Sequence, residues 1–410
     1  MKKVLLLGGS YFQVPSVKKA KELGYYTITC DYLPNNPGHK YADEYHNVST
    51  TDKEAILKLA QELKIDGVVC YASDPAAPTA AYVAEKMGLA GHPYKAVEIL
   101  SNKDLFRNFL SENGFNTPRA KGYTNVADAK KDWILFKKPI MVKPVDSSGS
   151  KGITKIENLD EIENAFNYAL NFSRAKRVIV EEYIDAYGGQ ILGEGFSVNG
   201  ELVFSIFANH FFDKKANNPF TPAGGCFPLN MKSVIQKRIE KEIQKVLTIL
   251  NMKTGAYNFE VRLDEQENIY LMEIGPRNGG NMIPQLVKHA TGFDMVEYTI
   301  KSAMGENCSN LDKFECKNYW AYYVLHSNNK GIFQKLTIDE EFKKNNLVEL
   351  NLIKEIGEKI EIFSGSGNAI GIMILKFKTQ EEMQEKINNI ENFVKVKIEE
   401  IEYAINPKSS

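Results

Sequence analysis

The first hundred residues switch repeatedly between two hydrophobic periods, and few architectures accept that pattern. Lys3–Leu7 is an apolar run closed by Gly8-Gly9-Ser10. A helical period over 15–23 stops at Gly24, and 25–31 reads as a strand with Asp31 at its carboxyl end. Thr51 and Glu54 read as a capping box for a helix with Ile56, Leu57, Ala60 and Leu63 on one face. Residues 67–71 form another apolar strand, which runs into Ser73-Asp74-Pro75. Strands alternating with helices predict a parallel sheet of the doubly wound kind. Ligands of such sheets gather beyond the carboxyl ends of the strands, where Gly8–Ser10, Asp31 and Ser73–Asp74 fall. Gly-Gly-Ser-Tyr-Phe-Gln-Val lacks the G-x-G-x-x-G spacing, so turn glycines or a substrate pocket fit better than a dinucleotide site.

The chain has 410 residues, which suits about two or three domains. Three stretches are separable, at 1–100, 101–305 and 306–410. Lys and Arg number 51 against 52 Asp and Glu, so no overall basic field points to nucleic acid or an anionic membrane. The opening apolar run is too short for a secretory signal, and no run of 18 apolar residues occurs. Five scattered cysteines without C-x-x-C fit reduced thiols, and a cytoplasmic location is expected.

The middle stretch holds the chemistry. It opens with Ser101 and Asp104 spaced as a capping box, ahead of a helix whose apolar face carries Leu105, Phe106, Phe109 and Leu110. Lys143 ends the strand pattern Pro139–Pro144, and Asp146-Ser-Ser-Gly-Ser-Lys-Gly152 follows. A Gly/Ser loop there can turn backbone N–H groups inward around phosphate. Val178-Ile-Val-Glu-Glu-Tyr-Ile184 is an apolar strand ending in two acids. Residues 256–263 and 269–274 alternate as a hairpin. With a four-residue loop at 265–268, Asp264 pairs with Ile269 and Glu260 lies opposite Glu273. Facing carboxylates repel and call for a proton or a cation, and hard oxygen ligands suit Mg²⁺. Ile274-Gly-Pro-Arg-Asn-Gly-Gly-Asn281 then sets Arg277, a fork for carboxylate or phosphate, beside the acids. Lysine, loop, metal and arginine together are the parts phosphoryl transfer needs. His210 reads as structural, and Cys226 sits on a Gly/Pro loop with no base pattern near it.

In this order the motifs resemble the ATP-grasp superfamily, specifically its carboxylate–amine or thiol ligases, the branch of amino-acid ligases, glycinamide ribonucleotide synthetase and carbamoyl-phosphate synthase. The resemblance covers most of the chain and implies a mixed α/β and α+β fold. A doubly wound parallel-sheet domain (1–100) would precede an ATP-grasp domain (101–305, with lobes at about 101–185 and 186–305) and a small C-terminal α+β domain (306–410). It also implies roles for single residues. Lys103 and Lys143 would contact phosphates, beneath a flap made by Ser147, Ser148, Gly149 and Gly152. Glu181 and the Glu182–Ile184 backbone would meet adenine, and Gln190 the ribose. Glu260 and Glu273 would hold Mg²⁺ or Mn²⁺. Arg277, catalytic with Lys143, would share substrate contacts with Asp74, Asn278 and Asn281.

Two positions depart from the family pattern. Gly188-Gly-Gln190 stands where relatives often have G-P-E, and Gly275 replaces the asparagine of E-x-N-P-R. The second change leaves a third metal ligand to Asn278 or to water. The activity implied is ADP-forming ligation: a carboxylate takes the γ-phosphate of ATP, and an amine displaces phosphate from the acyl phosphate. The expected partners are small carboxylates and amines, with a homodimer as the assembly. Bicarbonate activation and a nucleotide-binding regulator without turnover are the alternatives.

Overall fold

Two short runs rich in Val and Leu, Lys3–Leu7 and Gly67–Cys70, lie at the centre and one edge of the first sheet of the computed structural model, which describes residues 1–311 and 314–400. Lys3–Leu7, Tyr26–Cys30, Glu44–His46 and Gly67–Cys70 pair in parallel, in the spatial order third, second, first, fourth. Leu5 and Leu7 pack with Ile56 and Val83 on one face, and Val4 and Leu6 with Val17 and Ile300 on the other. Strand order reverses beside the first strand, and the segment carrying Asp74 emerges there.

Part of the crevice expected at these strand ends is filled by the chain itself. Asp31 Oδ2 accepts the Gly9 N–H and the Asn36 amide, and the His39 ring lies against Gly9. Both capping boxes also change. Asp52, not Thr51, caps Lys53–Leu63 by accepting the Ala55 N–H at 3.1 Å. Leu59 joins Ile56 and Ala60 in that core, while Leu57 and Leu63 are only partly buried. Ser101 ends the helix Tyr94–Ser101 and so cannot cap Lys103–Glu112. Asp104 instead takes both Nε and an Nη of Arg177, at 3.0 and 3.1 Å.

Two further sheets follow. Ala120–Tyr123, Val178–Glu182, Ile140–Pro144 and Thr154–Ile156 form an antiparallel sheet in that order, covered by Ile162–Asn171. Ile269–Gly275, Gly255–Leu263, Ile191–Val198 and Glu201–Phe212 are successive antiparallel neighbours in the second, with Ser233–Ile249 against them. All of this, through residue 317 but without 211–226, is one compact unit.

The other unit comprises 211–226 and the described residues after 317. Tyr319–Leu325, Gly371–Phe377 and Leu347–Leu352 pair antiparallel, and Lys359–Ile360, Gly331–Ile338 and Val394–Glu400 make a three-stranded sheet. Phe333, Phe342, Met373 and Ile387 lie in its core, with helices Glu340–Asn346 and Gln380–Asn388. Among the described residues no helix is long and apolar enough to cross a membrane.

Candidate active site

The hairpin places Glu260 opposite Glu273, by a route different from the expected one. Its loop has five residues: Leu263, not Asp264, pairs with Ile269, and Asp264 closes the turn through Asn268. That register alone would set Glu260 against Met272. A β-bulge between Glu260 and Val261 leaves Met272 out of the register and returns Glu273 to the face of Glu260. Arg107 holds the bulge, since its Nη1 donates to the Met272 carbonyl at 3.0 Å and lies 3.5 Å from that of Leu271.

Arg107 is 3% exposed, and its Nε donates to Glu181 Oε2 at 2.9 Å. Lys143 Nζ reaches the other oxygen of Glu181 at 2.5 Å. Burial alone would raise the Glu181 carboxyl, but the two cations outweigh it and hold the group at about 2. Burial, together with Arg262 and Arg107, lowers Lys143 against the pull of Glu181. One carboxylate shared by two cations leaves a positive excess, which an anion would offset. Glu181, expected at a nucleotide base, is thus fully buried as the link between Arg107 and Lys143. No sequence motif marked Arg107; the available signal was a lone arginine inside the apolar stripe 105–110.

Gln190 is also committed. Its amide donates to Glu260 Oε2 at 3.2 Å, and its oxygen accepts from Arg262 at 2.7 Å. Arg262 further donates to the Ile184 carbonyl at 2.8 Å and lies over the Tyr183 ring. The Gln190 side chain therefore braces a hairpin acid, where a sugar contact was expected. Glu182 Oε1 accepts the Lys137 N–H at 2.8 Å.

Around Glu273 the charges converge. Lys103 Nζ and Arg277 Nη2 each lie 3.9 Å from its carboxylate. Burial raises Glu273, opposed by Lys103 and assisted by Asp74 and Glu260. Arg277 donates through Nε and Nη2 to Asp74 Oδ1, at 2.6 and 2.5 Å, across 203 residues of sequence. Gly275 lies close beneath this pair: a Cβ there would sit 3.2 Å from Asp74 Oδ1 and 3.3 Å from the guanidinium, a tight fit. Asn278 turns away: it is fully buried, and its oxygen accepts from Thr299 at 2.9 Å. It does not stand in for the absent asparagine ligand. Asn281 has left-handed φ of 51°, and its carboxamide oxygen, like that of Gln285, is buried without a partner among the described residues.

Lys103 Nζ also donates to the Ser147 carbonyl at 2.8 Å. The loop beyond takes positive φ at Gly149, Ser150 and Gly152, the backbone form that turns successive N–H groups to one side. A cavity of about 320 Å³ is lined by Asp74, Lys103, Ser147, Glu273 and Gly275. The site brings together Asp74, Lys103, Glu260, Glu273 and Arg277, with Lys143 tied in through Glu181.

The chain is similar to known proteins both in sequence and in fold. Residues 115–294 match the family model described as the D-ala D-ala ligase C-terminus. An uncharacterised protein of Sinorhizobium fredii is 25% identical over 69% of this chain, which spans only 58% of that relative. The formate-dependent phosphoribosylglycinamide formyltransferase of Prochlorococcus marinus subsp. pastoris is 30% identical over 67% of this chain and 70% of its own length. The chain belongs to the ATP-grasp superfamily of carboxylate–amine ligases. The L-amino acid ligase of Bacillus licheniformis has the same fold, with TM-score 0.80, 21% identity, and 97% and 99% of the two chains covered.

An ATP-grasp ligase works with ATP and Mg²⁺, and this donor set fits both. Among the described residues no three His, Cys, Asp or Glu side chains form a metal cage. Mg²⁺ does not need one: it commonly takes one or two carboxylates and leaves the rest of its shell to phosphates and water. Glu260 and Glu273 supply two carboxylates, and the positive excess at Lys143 and Arg107 faces the demand of a polyphosphate.

Proposed function

We propose that the protein is an ADP-forming ligase that joins a small carboxylate to an amine through an acyl phosphate. The observation that carries this reading is the pairing of Glu260 with Glu273, with Lys103 and Arg277 each 3.9 Å from Glu273. In this reading the two glutamates hold Mg²⁺, which supplies charge neutralisation at the phosphates when bound. Lys103, Lys143 and the loop of Ser147, Ser148, Gly149 and Gly152 draw the triphosphate in. The backbone of Glu182–Ile184 borders the base.

Arg277 steadies the substrate carboxylate, its guanidinium aimed by Asp74. The carboxylate oxygen bonds to the γ-phosphorus as the bond to ADP breaks. The amine nitrogen then bonds to the acyl carbon, phosphate departs, and the amine loses a proton. The chain contributes position and charge rather than a nucleophile. Support for the substrate class comes from relatives whose names state formate dependence and formyl transfer to phosphoribosylglycinamide.

The test is ADP release across pairs of acids and amines, with bicarbonate as one acid, and mass spectrometry of the products. An amide-bearing product with stoichiometric ADP is expected. Glu273→Ala and Lys143→Ala should lose about a hundredfold or more in ADP release while keeping native circular dichroism. Near-normal release from either variant refutes its role, and a carboxylated product moves the reaction to the bicarbonate class.

A further inference from the structure

Glu194 lies in the middle strand of the second grasp sheet, paired with Ile206 on one side and Asn258 on the other, and is completely buried. A buried carboxylate persists only where its oxygens are satisfied. Both are: Oε1 accepts from the Asn258 amide at 2.7 Å, and Oε2 accepts the Gly279 N–H at 3.0 Å. The second bond is no part of the strand ladder. It ties the sheet to the turn after Ile274, 85 residues on. Gly279 leaves no room for a side chain, because a Cβ would overlap Glu194 Oε1.

We propose that Glu194 is a positioning residue that fixes the Gly275–Asn281 turn from below and thereby sets Arg277 for acyl transfer. This rests on the ligase reading above. Asp74 holds the Arg277 side chain and Glu194 holds the backbone two residues later, so the guanidinium is fixed from both directions. Only the ionised carboxylate does this fully: both neighbours are N–H donors, and a carboxylic acid would have to surrender one of them.

The charged and titratable groups that act on Glu194 are Arg277 on the turn and Tyr71 beyond the Gly67–Cys70 strand. Burial pushes the carboxyl up to about 7, against the pull of Gly279, Asn258 and Arg277. Turnover should therefore rise with pH through about 7 and then level off.

The experiment compares wild type, Glu194→Gln and the charge-swapped pair Glu194→Gln/Asn258→Asp. In the pair, the introduced glutamine donates its amide to the introduced aspartate and keeps its oxygen for Gly279. Glu194→Gln should bind MgATP within about twofold of wild type, lose about tenfold or more in the ADP-release kcat, and lose the rise through neutrality. Amide exchange of the 275–281 peptide should quicken. The swapped pair should recover slow exchange and most of kcat. Wild-type kcat, pH profile and exchange in Glu194→Gln would overturn the proposal. So would loss of MgATP binding in step with kcat. If wild type releases no ADP with any pair, the ligase reading fails, and peptide exchange still judges the tie.

Discussion

Replacing Arg107 by Met tests the junction on which both halves of the site lean. The substitution keeps an apolar stem but removes the guanidinium, and with it two kinds of bond. The first is the ion pair with Glu181, whose carboxyl falls from an ordinary 4.5 to about 2. That drop is worth roughly 3 kcal/mol of preference for the carboxylate in the native state. Arg107 and Lys143 both lower the carboxyl against the effect of burial, so part of that preference falls to Arg107. The second is the bond to the Met272 carbonyl, whose loss leaves a buried acceptor unpaired at a cost of about 1–3 kcal/mol.

Losses in one network do not simply add, so Arg107→Met should be about 3 kcal/mol less stable in urea titration at pH 7. The direction with pH is also fixed. A depressed carboxyl stabilises fully above its unfolded value of 4.5 and loses that contribution as pH falls toward 2. The gap between wild type and variant should therefore narrow on acidification. A loss below about 1 kcal/mol at pH 7, or a gap that widens in acid, would refute the network as drawn.

Two more expectations are directly measurable. Gln190→Leu removes the amide that braces Glu260; the concentration of Mg²⁺ or Mn²⁺ needed for half-maximal ADP release should rise about tenfold, as for losses in a supporting shell, with nucleotide affinity at saturating metal little changed. Glu194 predicts a stability slope opposite to its activity slope: its native carboxyl, raised from 4.5 to about 7, favours the native state below 4.5 and loses that advantage as pH rises to 7. Wild type should lose roughly 3 kcal/mol more than Glu194→Gln over that window, and parallel profiles would sink the assignment.

The architecture was legible because periods of two and 3.6 residues survive in any sequence that must bury one face. The two hairpin acids were legible for the same reason, though the expected register omitted both the fifth loop residue and the bulge, and the two omissions cancelled. What stayed hidden depends on contacts across long stretches. Arg107 reads as an interruption of a helix face until Met272 and Glu181 come to it from elsewhere in the chain. Glu194 is one acid in a strand of apolar and small residues, and only the fold shows that it points at Gly279. Gln190 was assigned by analogy to a sugar contact, but Arg262, two residues past Glu260, claims its oxygen first. Ser101 and Asp104 had the spacing of a cap, yet the preceding helix ran one residue too far.

The bulged Met272 gives the hairpin an uneven tolerance to change. Nearly any side chain there that fits the space would leave the carboxylates where they are. A ladder straightened with Met272 kept in it would pair Met272 with Glu260, turn Glu273 toward the apolar face of Phe259 and bring Ile274 round in its place. Loss of the Met272 codon, by contrast, would remove the bulge and leave Glu273 opposite Glu260, so the hairpin should bear exchange or loss of this residue far better than its re-pairing.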